Sequence, residues 1–283
     1  MFGKHRRKTR SQLEQEFLEL DFTSDFLFSE LMKDEGLCRK LIETLLKIKV
    51  QKIVYHKTQK QFRHRSDGRG VRFDVYVKSS DRVFDIELQV KNYENLPLRS
   101  RYYQANMDLD CLKKKEDYML LPESYVIFIC TGDPFGLGLP VYTVRNFIEE
   151  KRDFDYNDRC YKFFYNAKAW KSCNDTEVQG FLKYISTREP STAFTNEIEA
   201  RINDAHENPR LKEHFMTLKM KIDEEREEAR LEGIALGLAK GITQGAHDKA
   251  VETAKILLKK NIDLSVISES TGLSQEELEK LKA

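Results

Sequence analysis

Two short runs in this chain alternate apolar and polar residues with a period of two, and they constrain the fold more than anything else in it. The first is Val71-Arg72-Phe73-Asp74-Val75-Tyr76-Val77, and the second is Val83-Phe84-Asp85-Ile86-Glu87-Leu88-Gln89-Val90. That period belongs to strands with two distinct faces. Ser79-Ser80-Asp81-Arg82 between them supplies turn residues, so the pair is predicted to be an antiparallel hairpin. With Lys78 paired to Val83 across a tight tip, Asp74 falls opposite Glu87. Val71, Phe73, Val75 and Val77 then face Val90, Leu88, Ile86 and Phe84 on one apolar side. Arg72, Asp74, Tyr76, Asp85, Glu87 and Gln89 make the other side. A slip of one residue would mix the two sets, so the register is strongly specified. Opposed residues stand roughly 5 Å apart at Cβ, and two carboxylates that close repel unless a divalent cation lies between them. Asp74 and Glu87 are therefore the candidate metal ligands. The competing interpretation is an ordinary solvated sheet face.

Asp74…Glu87-x-Gln89 resembles the Asp…(Asp/Glu)-x-Lys core of the PD-(D/E)XK nuclease superfamily, with Gln89 at the lysine position. Further text is similar to one branch of it, the Rpn-type recombination-promoting nucleases, described as transposases. That text runs Leu96-Pro97-Leu98-Arg99-Ser100-Arg101-Tyr102-Tyr103-Gln104, Met107-Asp108, Tyr118, Tyr125-Val126-Ile127-Phe128-Ile129-Cys130, Asp133-Pro134-Phe135-Gly136 and Tyr142-Thr143, in consistent order. The resemblance implies an α/β, restriction-endonuclease-like PD-(D/E)XK core, in which a central mixed sheet is flanked by helices in the order αβββαβ. It implies a DNA endonuclease that hydrolyses phosphodiester bonds with a carboxylate-bound metal and promotes recombination or accompanies a mobile element. It also implies that the backbone carbonyl of Leu88 joins the ligands. Asp25, in Asp25-Phe26-Leu27-Phe28, fits the Asp-x-x-Phe opening of this family and is the candidate first-helix acid. Capping a helix is its alternative role, and Glu43 is the reserve candidate.

Oxygen-only ligands with retained water suit Mg²⁺ or Mn²⁺, which acidifies bound water and polarises a phosphoryl group. Gln89 orients water only by hydrogen bonding, so a lysine in its place is expected to restore a cation. Lys91 has the same strand parity and stands about 7 Å further along at roughly 3.4 Å per residue; the alternative is a solvated strand end. Arg99 precedes Tyr103 and Gln104 by about one helical turn. Its planar fork suits a phosphate of the DNA partner, with a surface ion pair as the alternative. Tyr102 or Tyr103 either stacks on a base or packs in the interior.

The 283 residues carry 48 Lys+Arg against 47 Asp+Glu, for a net charge of +1, so any basic surface must be local. Cys38, Cys111, Cys130, Cys160 and Cys173 are odd in number and contain no Cys-x-x-Cys pair. This argues against a disulfide framework or zinc ribbon and for reduced thiols in a cytoplasmic protein. No apolar run approaches a membrane span. The basic opening Lys4–Arg10 leads into Gln12, Glu14 and Glu16, so it is not a signal peptide; residues 1–20 are expected to form a flexible arm. The nuclease-like domain is expected over 21–190, a long charged helix over 195–246 and a small helix-turn-helix-like unit over 247–283.

Within the first of these, helices are predicted after the Thr23-Ser24-Asp25 cap, again from Leu41 past the Gly36 break, from Pro97 to about Lys115, and over Val178–Ile185. Strands are predicted at Ile53-Val54-Tyr55, Tyr125–Cys130 and Val141–Val144, with Tyr161–Tyr165 as an edge strand. Gly233, Gly237, Gly241 and Gly245 recur every four residues, each costing a helix up to about 1 kcal/mol against alanine. They mark either a seam for homo-oligomers or a frayed spacer. The final helix opens with Gln275, Glu276, Glu277 and Glu279, which argues against reading a phosphate-lined groove. Two other functions stay open: a non-catalytic nucleic-acid-binding or assembly protein that keeps the fold, and an RNA-cleaving, toxin-like nuclease.

Overall fold

The computed structural model describes residues 8–62, 70–91 and 94–282. The basic opening before Lys8 and the basic loop at 63–69 lie outside the described residues. In chain order the elements are α1 (Arg10–Leu18), α2 (Asp25–Leu31), α3 (Glu35–Leu46), β1 (Ile53–Phe62), β2 (Val71–Ser79), β3 (Arg82–Gln89) and α4 (Leu96–Cys111). There follow β4 (Glu123–Cys130), β5 (Val141–Val144), β6 (Cys160–Asn166), α5 (Thr176–Thr187), α6 (Ala193–Glu207), α7 (Pro209–Lys259), α8 (Leu264–Thr271) and α9 (Gln275–Lys282).

The strands form one mixed sheet in the order β1-β2-β3-β4-β6-β5. β1, β2 and β3 are antiparallel neighbours, β4 runs parallel to β3 and β6 parallel to β4. The chain therefore crosses over between β3 and β4, and α4 makes that crossing, as parallel neighbours require. The sheet is covered on both faces. Leu27, Phe28, Leu41, Phe181 and Ile198 pack on one face with Val75, Val77, Phe84 and Ile86. Leu96 and Met107 of α4 pack on the other with Tyr76, Val83, Val126 and Phe128. Successive residues of β4 enter opposite clusters, which explains its unbroken apolar run. This is the α/β layer order expected, with a long C-terminal helix.

Lys78 pairs with Val83 as the hairpin register predicts, and the ladder runs to Val75–Ile86. Beyond that point the expected apolar side does not form. Val71 and Phe73 belong to the α4 side with Tyr76, whereas Val75 and Val77 belong to the opposite side. Both faces are covered by helices, so both select apolar residues, and the strand rolls where its regular pairing with β3 stops. Phe73 stacks on Tyr76 at 5.3 Å between ring centroids. Val90 lies past the end of β3 and is exposed.

Three other expectations are corrected. Residues 10–18 are helical where an arm was expected, because Leu13 and Phe17, one turn apart, are buried and Phe17 meets Phe215 at 5.6 Å. The Tyr161–Tyr165 run is not an edge strand. β6 lies between β4 and β5, with Phe164 stacked on Phe128 at 5.3 Å and the Tyr165 hydroxyl donating to the Leu45 carbonyl at 2.6 Å. The break between the first helices falls at Asp34, whose side chain caps α3 by accepting from Leu37 N at 2.9 Å.

The compact unit holding the sheet runs from Arg10 to Phe215, so it takes in α6, whose Phe194, Ile198 and Ile202 are buried in the core. A second unit contains the chain from Met216. There α8, α9 and the end of α7 enclose Ala254, Ile267, Leu273 and Leu278. Gly272 closes α8 at φ 73°, and Ser274 and Glu277 form a capping box at the start of α9.

Candidate active site

Where the β2–β3 ladder stops, backbone groups that would have paired across the strands are satisfied by carboxylates instead. Asp74 N donates to Glu87 Oε1 at 2.9 Å, and Leu88 N donates to Asp74 Oδ2 at 3.1 Å. Each acid is thus held by the backbone of the other strand.

Strand alternation puts Asp85, Glu87 and Gln89 on the same side as Val83, under α4, and all three are buried. Arg99, in the first turn of α4, reaches down to them. Its Nη1 donates to Gln89 Oε1 at 2.8 Å, its Nη2 donates to the Tyr103 hydroxyl at 3.0 Å, and Nη2 stands 3.5 Å from Glu87 Oε2. The guanidinium also lies 5.4 Å and 5.6 Å from the ring centroids of Tyr103 and Phe128. This is a partly desolvated, multiply anchored arginine and not a surface ion pair. Gln89 spends its amide N–H on the Lys91 carbonyl, so both ends of its side chain are engaged.

The electrostatics follow from crowding. Burial, with a further push from the Asp25 charge, raises the Asp74 pKa to about 6 against the pull of the Leu88 N–H. Burial and the Asp74 charge hold Glu87 well above the usual carboxylate range, although the Asp74 N–H and Arg99 oppose them. Asp85 is raised well above its ordinary value by burial, then by Glu87 and Asp74. Neither of its oxygens has a hydrogen-bond partner among the described residues. A buried carboxylate in that state is costly, and a cation nearby would relieve the repulsion.

Asp25, Arg72, Asp74, Leu88, Gln89, Lys91 and Arg99 line a cleft of about 420 Å³, with Glu87 behind them. Asp25, exposed at the start of α2, lines the same cleft as Asp74. The reserve candidate Glu43 is elsewhere: it accepts from Val50 N at 3.0 Å and holds the exit of α3. Asp85 and Arg72 are the residues that sequence reasoning left without a role. The parity of Asp85 with Glu87 was visible, but its orphaned burial depends on α4. No three His, Cys, Asp or Glu side chains among the described residues form a ready-made metal cage. Mg²⁺ does not need one, since it is commonly held by one or two carboxylates together with water and substrate phosphate. The oxygen-only donor set fits such a hard cation.

A mixed sheet thus presents two interlocked carboxylates at the end of its hairpin, under an arginine from the crossover helix. The family model of the PD-(D/E)XK nuclease family transposases matches residues 18–233, and the chain belongs to that family. Membership carries a nuclease- or transposase-like function and a nucleic-acid substrate. No curated protein and no solved structure matches the chain. No described helix is long and apolar enough to cross a membrane.

Proposed function

We propose that the protein is a metal-dependent DNA endonuclease acting in recombination or with a mobile element. The observation that carries this reading is the reciprocal bonding of Asp74 and Glu87 at 2.9 and 3.1 Å beside Arg99. Asp74, Glu87 and the Leu88 carbonyl would hold Mg²⁺ or Mn²⁺, with Asp25 as the added acid at the cleft mouth. When bound, the cation supplies Lewis acidity toward the phosphoryl group and toward an attacking water. Arg99, held in place by Gln89 and Tyr103, contributes its charge and planar fork to gripping the phosphate. Gln89 acts through Arg99, anchoring it, as well as by orienting water. Self-association along the glycine stripe of α7 belongs to the same proposal.

The test is nicking of supercoiled plasmid with Mg²⁺. Asp74→Asn and Glu87→Gln keep the shape and the backbone hydrogen bonds while removing charge, and each should lower the rate by at least about a hundredfold. Wild-type rates in both variants would overturn the assignment.

A further inference from the structure

A second cavity, of about 290 Å³, opens on the α4 side and shares Arg72 and Arg99 with the cleft. Its remaining wall is mostly apolar and aromatic, Val71, Leu98, Tyr102 and Tyr103, completed by Gly70 and Asn95. Leu98 and Tyr102 are one turn apart on α4 and 60 % and 43 % exposed, so α4 offers an aromatic ring and an aliphatic side chain to whatever enters. The volume falls just under the roughly 300–1,000 Å³ of small-molecule pockets, which suits one planar ring system rather than a longer ligand. The two arginines stand where a polyanion would leave the cleft.

From this juxtaposition we propose that the cavity is a nucleobase subsite, receiving one unpaired base of the nucleotide next to the scissile phosphate. The proposal deepens the nuclease reading and rests on it for the position of that phosphate. Tyr102 provides a stacking face, Leu98 an apolar edge beside it, and Arg72 with Arg99 the bridge that carries the backbone from cleft to cavity. Aromatic and guanidinium planes stack on any base, because every base has a π-face. A base inside a duplex is already stacked and paired, so it cannot enter without being extruded. The substrate class that follows is single-stranded or locally unpaired DNA, with weak preference among bases.

The experiment is equilibrium binding of full-length protein in EDTA, where no cleavage intervenes. Fluorescence anisotropy compares labelled oligothymidylate with a blunt duplex of equal length at one fixed salt concentration. Wild type should bind the single strand at least about tenfold more tightly. Tyr102→Ala should bring the single strand to the duplex level, and Tyr102→Trp should restore the preference. A 2-aminopurine in the strand should be quenched on binding wild type and not on binding Tyr102→Ala. Equal affinity for both DNAs, or a preference that survives Tyr102→Ala, overturns the subsite. Plasmid nicking separates the two claims. Nicking without single-strand preference sinks the subsite alone, whereas preference without nicking sinks the nuclease reading and leaves the base cavity standing.

Discussion

Asp74 carries two demands at once: it ends a strand ladder and it crowds negative charge into a buried place. Its folded pKa, about 6, stands above an unfolded carboxylate near 4. The folded state therefore holds this proton more tightly than the unfolded chain does. The stabilising contribution is complete below about pH 4 and is lost as pH rises through about 6. Asp74→Asn has no such titration. In metal-free buffer at pH 8 that variant should be more stable than wild type by up to about 3 kcal/mol, the gap closing toward pH 4. Added Mg²⁺ should raise the melting temperature of wild type and leave the variant unmoved. Thermal melts across pH, with EDTA and with Mg²⁺, check this; a gap that stays constant with pH removes burial as its source. Gln89 is a second case in which contacts revise an expectation. A lysine there was expected to restore a missing cation, but Gln89 Oε1 accepts from Arg99 Nη1 at 2.8 Å. Gln89→Lys would set two cations against each other, so it should nick more slowly than wild type and melt lower. Faster nicking by that variant would restore the original view.

Among the elements, the hairpin was the most legible. Its turn residues fix Lys78 opposite Val83, and the carboxylate pair follows by counting. Which face each residue of β2 takes was not legible below Asp74, because a period of two separates faces only when one of them is wet. The place of β6 was hidden for another reason: strand order is decided by long-range packing, and a run such as Tyr161–Tyr165 carries no mark of its neighbours. α1 was masked by its basic and acidic surroundings, since Leu13 and Phe17 are too few to make a periodic pattern. The glycines of α7 pose the remaining question at this scale. A Cβ added at Gly237 or Gly241 meets nothing within 4 Å, so within one chain each change to alanine gains up to about 1 kcal/mol of helix. In an assembly built on that stripe the same Cβ meets a facing helix. Gly237→Ala with Gly241→Ala should therefore melt higher by circular dichroism and show a smaller mass by light scattering. An unchanged mass makes the stripe a spacer.

At the scale of the molecule, the burial of α6 decides where the chain can be cut. Ending it after Ser191 would strip Phe194, Ile198, Ile202 and Ala205 from the core. At about 1.5–3 kcal/mol for each large apolar side chain, that loss rivals the roughly 5–15 kcal/mol that holds a domain together. A chain ending after Lys219 keeps the whole unit from Arg10 to Phe215. The longer product should melt cooperatively and nick plasmid, and the shorter should do neither; a cooperative melt from the Ser191 product would show α6 to be dispensable. The parallel pairing of β3 with β4, and of β4 with β6, reaches further than stability. A chain leaving the ribosome exposes Asp74 and Glu87 early, yet β4, which makes β3 an interior strand, ends only at Cys130, and the unit that holds the sheet is complete only at Phe215. At ~5–20 residues per second, that interval lasts on the order of ten seconds. During it the acids and Arg99 sit in an unfinished core. A message broken before Phe215 therefore yields a chain in which the two acids and Arg99 are not yet held together, and the complete site comes only from chains translated past that residue.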